Sequence, residues 1–230
     1  MLQSLDLLKI LFIDIETVPQ AAAFDELSLE SAQLWTHKSQ FIRTEMAQSP
    51  EELYHRAGIY AEFGKIICIS TGYLTFENNQ YEMHLKSFSG IDEKLLLMDF
   101  KEMMNKISNR WYLCAHNGRE FDFPYISRRM IIHEIALPGI FDIRNKWKNE
   151  IRLLDTLELW KFGDYKHYTS LELLAHVLQI PSPKSDLNGS MIYDTFYKEK
   201  DLDRIVRYCE NDVKTLAKVF ARLQGNKIQL

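Results

Sequence analysis

Four acidic residues and one tyrosine of this 230-residue chain stand where their types and spacing could do chemistry. Asp14 and Glu16 occupy Ile13-Asp14-Ile15-Glu16-Thr17, directly after the apolar run Leu7–Ile13. At the end of a strand, side chains two residues apart point to one face, so these carboxylates project together. The run before them fits a strand buried on both faces, and α/β proteins place ligands at the ends of such strands. The competing reading is a plain strand end whose polar residues reach solvent. Asp122 lies in Asn117-Gly118-Arg119-Glu120-Phe121-Asp122-Phe123-Pro124. It follows a turn and precedes a helix, and the flanking phenylalanines hold it close to the core. An ordinary N-cap would also explain an aspartate there.

Asp212 comes from the final helical pattern. At about 100° per residue, with Ile205 at zero, Leu202, Val206, Cys209, Val213, Leu216, Phe220 and Leu223 fall between roughly 0° and 100°. Asp212 falls near about −20° and Tyr208 near about −60°, so the acid sits inside the apolar stripe with the tyrosine on its edge. Glu210, near about 140°, is on the solvated side and has no role. A carboxylate facing a core costs several kcal/mol unless it is paired or binds metal. A buried salt bridge to an arginine is the other reading.

Four carboxylates gathered at one place raise one another's pKa unless cations sit between them. A pair of divalent ions about 3.5–4 Å apart, held by aspartates and a glutamate, serves phosphodiester cleavage. Oxygen-only ligation favours Mg²⁺ or Mn²⁺ over zinc. One ion would lower the pKa of an attacking water and the other would stabilise the leaving 3′ oxygen. Tyr208, one turn from Asp212, could orient that water.

The elements that must position these residues read as follows. Leu7–Ile13, Lys65–Tyr73, Tyr81–Phe88, Trp111–Ala115 and Ile151–Leu154 are strands. Ile91–Ile107, Phe123–Glu134 and Asp201–Leu223 are helices, and Pro124 suits the first turn of the second of these. Thr169-Ser170-Leu171-Glu172 is a capping box that opens a helix through about Leu178. Residues 20–62, with helical stretches around Asp25–Trp35 and Pro50–Tyr60, form an insertion after the first strand. The pattern gives an α/β fold, a mixed sheet covered by helices, in a single domain over residues 1–230.

The chain is 46% hydrophobic and 26% charged, with nine glycines, six prolines and no low-complexity tract, which excludes wholesale disorder. A net charge of −4 argues against broad duplex wrapping but not against an enzyme gripping a few phosphates. Cys68, Cys114 and Cys209 are odd in number and have no CxxC spacing. They fit neither a disulfide framework nor a zinc cluster, and suit a reducing cytoplasm. No signal peptide and no membrane-spanning run is expected.

Asp14-Ile15-Glu16, Asn117-x-x-x-Phe121-Asp122 and Tyr208-x-x-x-Asp212 resemble the three motifs of the DEDDy 3′–5′ proofreading exonucleases. The likeness is to the exonuclease domain of family B DNA polymerases in its stand-alone bacterial version, and it runs from about Lys9 to Leu223. It implies a ribonuclease H-like fold and two-metal cleavage from a 3′ end. Asp14, Glu16, Asp122 and Asp212 would be metal ligands, and Tyr208 the water-orienting tyrosine. Asn117 would touch substrate or brace the site, and Phe121 would pack beneath it. Leu154-Asp155-Thr156 and Lys184–Ser190 also look like features of the stand-alone group. Lys184 would meet a phosphate or belong to a plain surface loop. No polymerase domain is expected beside these motifs to deliver a mispaired end.

Arg128-Arg129 and the set Arg144, Lys146, Lys148 and Arg152 could track a nucleic-acid backbone or be ordinary surface charge. His116 is the only one of seven histidines near the site. The cysteines read as small hydrophobes, and Trp35, Trp111, Trp147 and Trp160 as core residues. The expected activity is Mg²⁺- or Mn²⁺-dependent 3′–5′ exonuclease action on single-stranded DNA, with no membrane association. The alternatives are a catalytically inactive nucleic-acid-binding module of the same fold and an exoribonuclease or small-RNA phosphodiesterase. The choice between DNA and RNA depends on how a site treats the 2′-hydroxyl.

Overall fold

A computed structural model of the chain describes residues 2–44, 46–107, 110–164, 168–181 and 186–230. The apolar run at the start opens with a 3₁₀ turn, Leu7–Lys9, whose N-cap Asp6 accepts the Leu8 N–H at 3.0 Å. Strand β1 follows as Ile10–Pro19. It therefore starts later and runs much further than its hydrophobic stretch suggests, and Asp14 and Glu16 lie inside it instead of beyond its end. Backbone pairing explains the extension. β2 (Gly64–Glu77) pairs antiparallel with β1 from Phe12 to Pro19 and carries the polar stretch within the ladder.

After β1 the chain forms helix α1 (Leu29–Ser39) and the short α2 (Pro50–Leu53) before reaching β2. Trp35 anchors this helical segment. It is fully buried with Leu53, Tyr54 and Ala57, and its Nε1–H donates to the Pro50 carbonyl at 2.7 Å. Strand β3 (Gln80–Ser89) returns from β2 through Asn78 and Asn79, both at positive φ, as a two-residue hairpin turn requires. Next come α3 (Glu93–Lys106), β4 (Tyr112–Ala115), α4 (Asp122–Ile132) and β5 (Leu153–Asp155). Helices α5 (Thr156–Lys161), α6 (Leu171–Val177) and α7 (Ile192–Asp194) lead into a π-helical turn and then α8 (Leu202–Leu223). Helix α6 is capped by Ser170, one residue later than the expected box, because its hydroxyl reaches the Leu173 N–H.

The sheet order is β3-β2-β1-β4-β5, with β1, β4 and β5 mutually parallel and β2 antiparallel to its neighbours. This is the mixed α/β sheet expected, flanked by helices and consistent with a ribonuclease H-like arrangement. α3 and α4 cover one face through Leu97, Phe100, Phe123 and Ile126. α8 covers the other, where Phe220 meets Phe12 edge to face at 5.9 Å between centroids. Gly72 on β2 permits that approach, since a Cβ there would lie 2.9 Å from Val213 Cγ1.

Two surface expectations change. Arg129 is not free to meet a phosphate: it is buried and bonds Glu93 through both Nε and Nη2, while Nη1 donates to the Ala61 carbonyl at 2.8 Å. The same Glu93 accepts the Ile66 N–H, so this pair pins α3 and α4 to the sheet. Trp147 is 79% exposed and is no core residue, in contrast to Trp35.

Candidate active site

The site forms where the sheet opens. β4 pairs with β1 only from Ile10 to Phe12, so beyond Phe12 one edge of β1 loses its parallel neighbour. Asp14 and Glu16 stand on that stretch, and the ladder with β2 shifts register between Glu16 and Thr17. From the other side α8 presents Cys209, whose thiol donates to Asp14 Oδ2 at 3.2 Å. Ligand atoms of Asp14, Glu16 and Cys209 all lie within 4.8 Å of one another. Glu16 is 8% exposed and Asp122 3%, while Asp14 and Asp212 are half-buried. Asp212 is thus nearer the edge of the buried stripe than the helical wheel suggests, because α8 crosses the sheet at this opening. Among the described residues none of the four acids forms a salt bridge to a cation.

Burial and mutual repulsion dominate the electrostatics. Burial pushes the Asp14 carboxyl well up, and the charges of Asp212 and Asp122 push it further. Glu16 is raised in the same way, first by burial and then by Asp14 and Asp212. Asp122 is raised by burial to about 7, although backbone N–H groups, including that of Ile15, oppose the shift. Asp212 is raised by burial to about 6 against a hydrogen bond from Tyr208. These four acids from three elements therefore interact as one group, and among the described residues no buried cation neutralises them. Such a donor set fits divalent cations, which would supply the missing positive charge.

The turn before α4 delivers Asp122. Asn117 adopts φ +58°, and its N–H donates to Asp155 Oδ1 at 2.9 Å. The Arg119 N–H donates to Asp155 Oδ2, and the Leu157 N–H to Oδ1. Gly118 is required in this turn, because a Cβ would sit 2.3 Å from Ala115 Cβ. Asp122 is the first helical residue and not the N-cap. That position belongs to Phe121, which makes no side-chain cap. The N-cap reading therefore does not account for this aspartate. Phe121 is half-buried against Tyr125, with ring centroids 5.3 Å apart. Asp155, to which the sequence assigns no role, proves to be the post that holds the turn.

Tyr208 is half-buried one turn before Asp212 and hydrogen-bonds it. Burial, then Asp212, Glu16 and Asp14, keep its phenol firmly protonated. Two residues passed over in the sequence also belong here. Cys209 reads as a small hydrophobe on a helical wheel, yet its thiol touches Asp14, and its adjacency to Tyr208 was the available signal. Burial raises the Tyr168 hydroxyl and the charges of Asp122, Asp14, Asp155 and Asp212 raise it further, and nothing in its sequence context marks it. Glu210 is half-buried and accepts the Ser87 hydroxyl at 2.8 Å. His116 has a lowered pKa through burial and bridges Thr156 and Thr169.

Of the basic residues, Arg144 is engaged by Asp142 and Lys146 by the Gly139 carbonyl. The guanidinium of Arg152 lies over the Tyr112 ring, and Arg128 is exposed. Lys184 lies outside the described residues.

The chain is similar in fold to the family B DNA polymerase from the hyperthermophilic archaeon Pyrobaculum calidifontis, with a TM-score of 0.54 and 12% identity. The similarity covers 93% of this chain but only 24% of the polymerase chain. No curated protein matches the sequence. The family described as predicted 3′–5′ exonuclease related to the exonuclease domain of PolB matches residues 59–230, a span that holds Asn117, Asp122, Tyr208 and Asp212 and begins after β1. The chain belongs to this family of predicted 3′–5′ exonucleases related to the PolB exonuclease domain.

Proposed function

We propose that the chain, as one exonuclease domain, removes nucleotides from the 3′ end of single-stranded DNA at the site formed by Asp14, Glu16, Asp122 and Asp212. What carries this reading is four carboxylates converging from β1, α4 and α8, two of them under 9% exposed, with no cationic partner among the described residues. Two Mg²⁺ or Mn²⁺ ions bound there would supply Lewis acidity toward the attacking water and the departing 3′ oxygen.

The chain's own residues do the rest. Asp14 and Glu16 hold their side of the site on a strand that β2 pairs with from Phe12 to Pro19. Asp122 is aimed by the Asp155-braced turn. Tyr208 stays protonated and hydrogen-bonds the attacking water, holding a lone pair toward the phosphorus. Its bond to Asp212 fixes the phenol's direction. Asn117 and Phe121, in the turn that leads to Asp122, would contact the terminal nucleotide. The site works as a hydrolase of nucleic acid in a reducing cytoplasm, where Cys68 and Cys209 remain thiols as they are here. No described helix is long and apolar enough to cross a membrane.

Matched DNA and RNA oligonucleotides of one sequence, incubated with the protein and Mn²⁺, test the substrate. Faster shortening of the DNA is expected. Preferential loss of the RNA would reassign the site to exoribonuclease chemistry, and tight binding without turnover of either would mark an inactive binding module.

A further inference from the structure

Tyr168 is the exposed aromatic that the site leaves unexplained. It is 63% exposed and belongs to none of the hydrophobic clusters of the core. Its hydroxyl has no hydrogen-bond partner among the described residues. An isolated exposed ring is ordinary on a protein surface. This one differs in how it is held and where.

His116 fixes it. The ring of His116 is half-buried, and its Nε2 lies 2.7 Å from the Thr169 carbonyl, to which it donates. Nδ1 is then free to accept the Thr156 hydroxyl at 2.9 Å. The carbonyl so held belongs to the residue after Tyr168, and the Tyr168 ring rests edge-on against the imidazole, centroids 6.2 Å apart at 69°. His116 also directly precedes Asn117, so the turn that aims Asp122 and the segment that carries Tyr168 are one braced unit. The contact with His116 therefore places the ring beside the turn that aims Asp122, and burial and then the charges of Asp122, Asp14, Asp155 and Asp212 raise its hydroxyl. A flat, uncharged ring surface beside that turn suits a nucleobase, which has a π-face whatever its identity.

We propose that the exposed face of Tyr168 is a stacking platform for the base of the 3′-terminal nucleotide. This rests on the exonuclease reading above. It gives the site a grip on the substrate that is indifferent to base identity and separate from the phosphate contacts. Stacking of this kind acts on binding and leaves the chemical step alone, so its signature is in KM and not in kcat.

The test uses the full chain with Mn²⁺ and two single-stranded DNA substrates, one ending in an ordinary 3′ nucleotide and one ending in an abasic 3′ residue. For the ordinary end, Tyr168→Ala should raise KM about tenfold with kcat within about twofold. Tyr168→Phe, which keeps the ring, should match the parent protein. For the abasic end, parent and Tyr168→Ala should have the same KM, because there is no base to stack. Equal KM values for Tyr168→Ala and parent on the ordinary end would overturn the proposal, with the exonuclease reading intact. So would an equal KM penalty on both ends, or a loss of kcat in Tyr168→Phe. Absence of any shortening by the parent protein would instead remove the exonuclease reading, and the stacking role with it.

Discussion

The carboxylate of Asp155 accepts the backbone N–H of Asn117 at 2.9 Å, and through that bond the end of β5 sets the position of Asp122. The same side chain also receives the N–H groups of Arg119, Leu157 and Glu158, so it serves as cap for α5 and clamp for the turn at once. Asp155→Ala would strand these donors in a buried setting. A loss of about 2–4 kcal/mol in unfolding free energy is expected, together with a fall in kcat, since Asp122 would no longer be aimed. Chemical denaturation and steady-state cleavage check the two effects. An unchanged midpoint with full activity would contradict the clamp.

Tyr208→Phe removes only a hydroxyl. Ion binding should persist, because all four carboxylates remain, while kcat should fall about 10²-fold through loss of water orientation. Calorimetric titration with Mn²⁺ beside a cleavage time course separates the two. Full activity in this variant would remove the assigned role.

The raised carboxyls give a pH dependence of stability in metal-free protein. Folded Asp212 and Asp122 hold their protons up to about 6 and about 7, above the unfolded value of 3.8. The folded state therefore binds more protons than the unfolded chain between about pH 4 and 7, and stability falls across that window as pH rises. Their contribution is complete below pH 4 and lost above about 7. Saturating Mn²⁺ should then raise Tm by several degrees at pH 8 and by much less at pH 5, where protons compete. Thermal melts at the two pH values, with and without Mn²⁺, measure this. Equal shifts at both would contradict a carboxylate ion site.

Breaking the buried Glu93–Arg129 pair tests what holds the covering helices. Glu93→Gln leaves Arg129 buried with an uncompensated charge, and a cost of about 3–5 kcal/mol is expected. Double replacement by apolar residues of similar volume should recover most of it. A mild effect of the single change would mean that the helices are held by packing alone.

Much of this was legible in the sequence because local rules were left to act. The apolar runs that became β1, β2 and β4 carry buried-strand patterns, and α8 has a clean apolar stripe, so sheet, last helix and the convergence of acids could be read. What could not be read depends on long-range pairing. Asp14 and Glu16 appeared to end a strand because hydrophobicity stops at Ile13, whereas the ladder to β2 continues to Pro19. Asp155 and Tyr168 draw their places from contacts 38 and 53 residues away in sequence, Asn117 with Asp155 and His116 with Thr169, which no periodicity records. Arg129 looked like surface charge beside Arg128 because nothing local shows that α4 turns one of the two inward to Glu93.

The central claim is that these four acids make a metal-dependent 3′–5′ nuclease site. A 5′-labelled single-stranded DNA, followed over time with Mn²⁺, tests it most directly. The account predicts a ladder descending one nucleotide at a time from the 3′ end, abolished by EDTA and by Asp14→Ala. A ladder that persists in Asp14→Ala, or no shortening of the DNA by the parent protein, would contradict it.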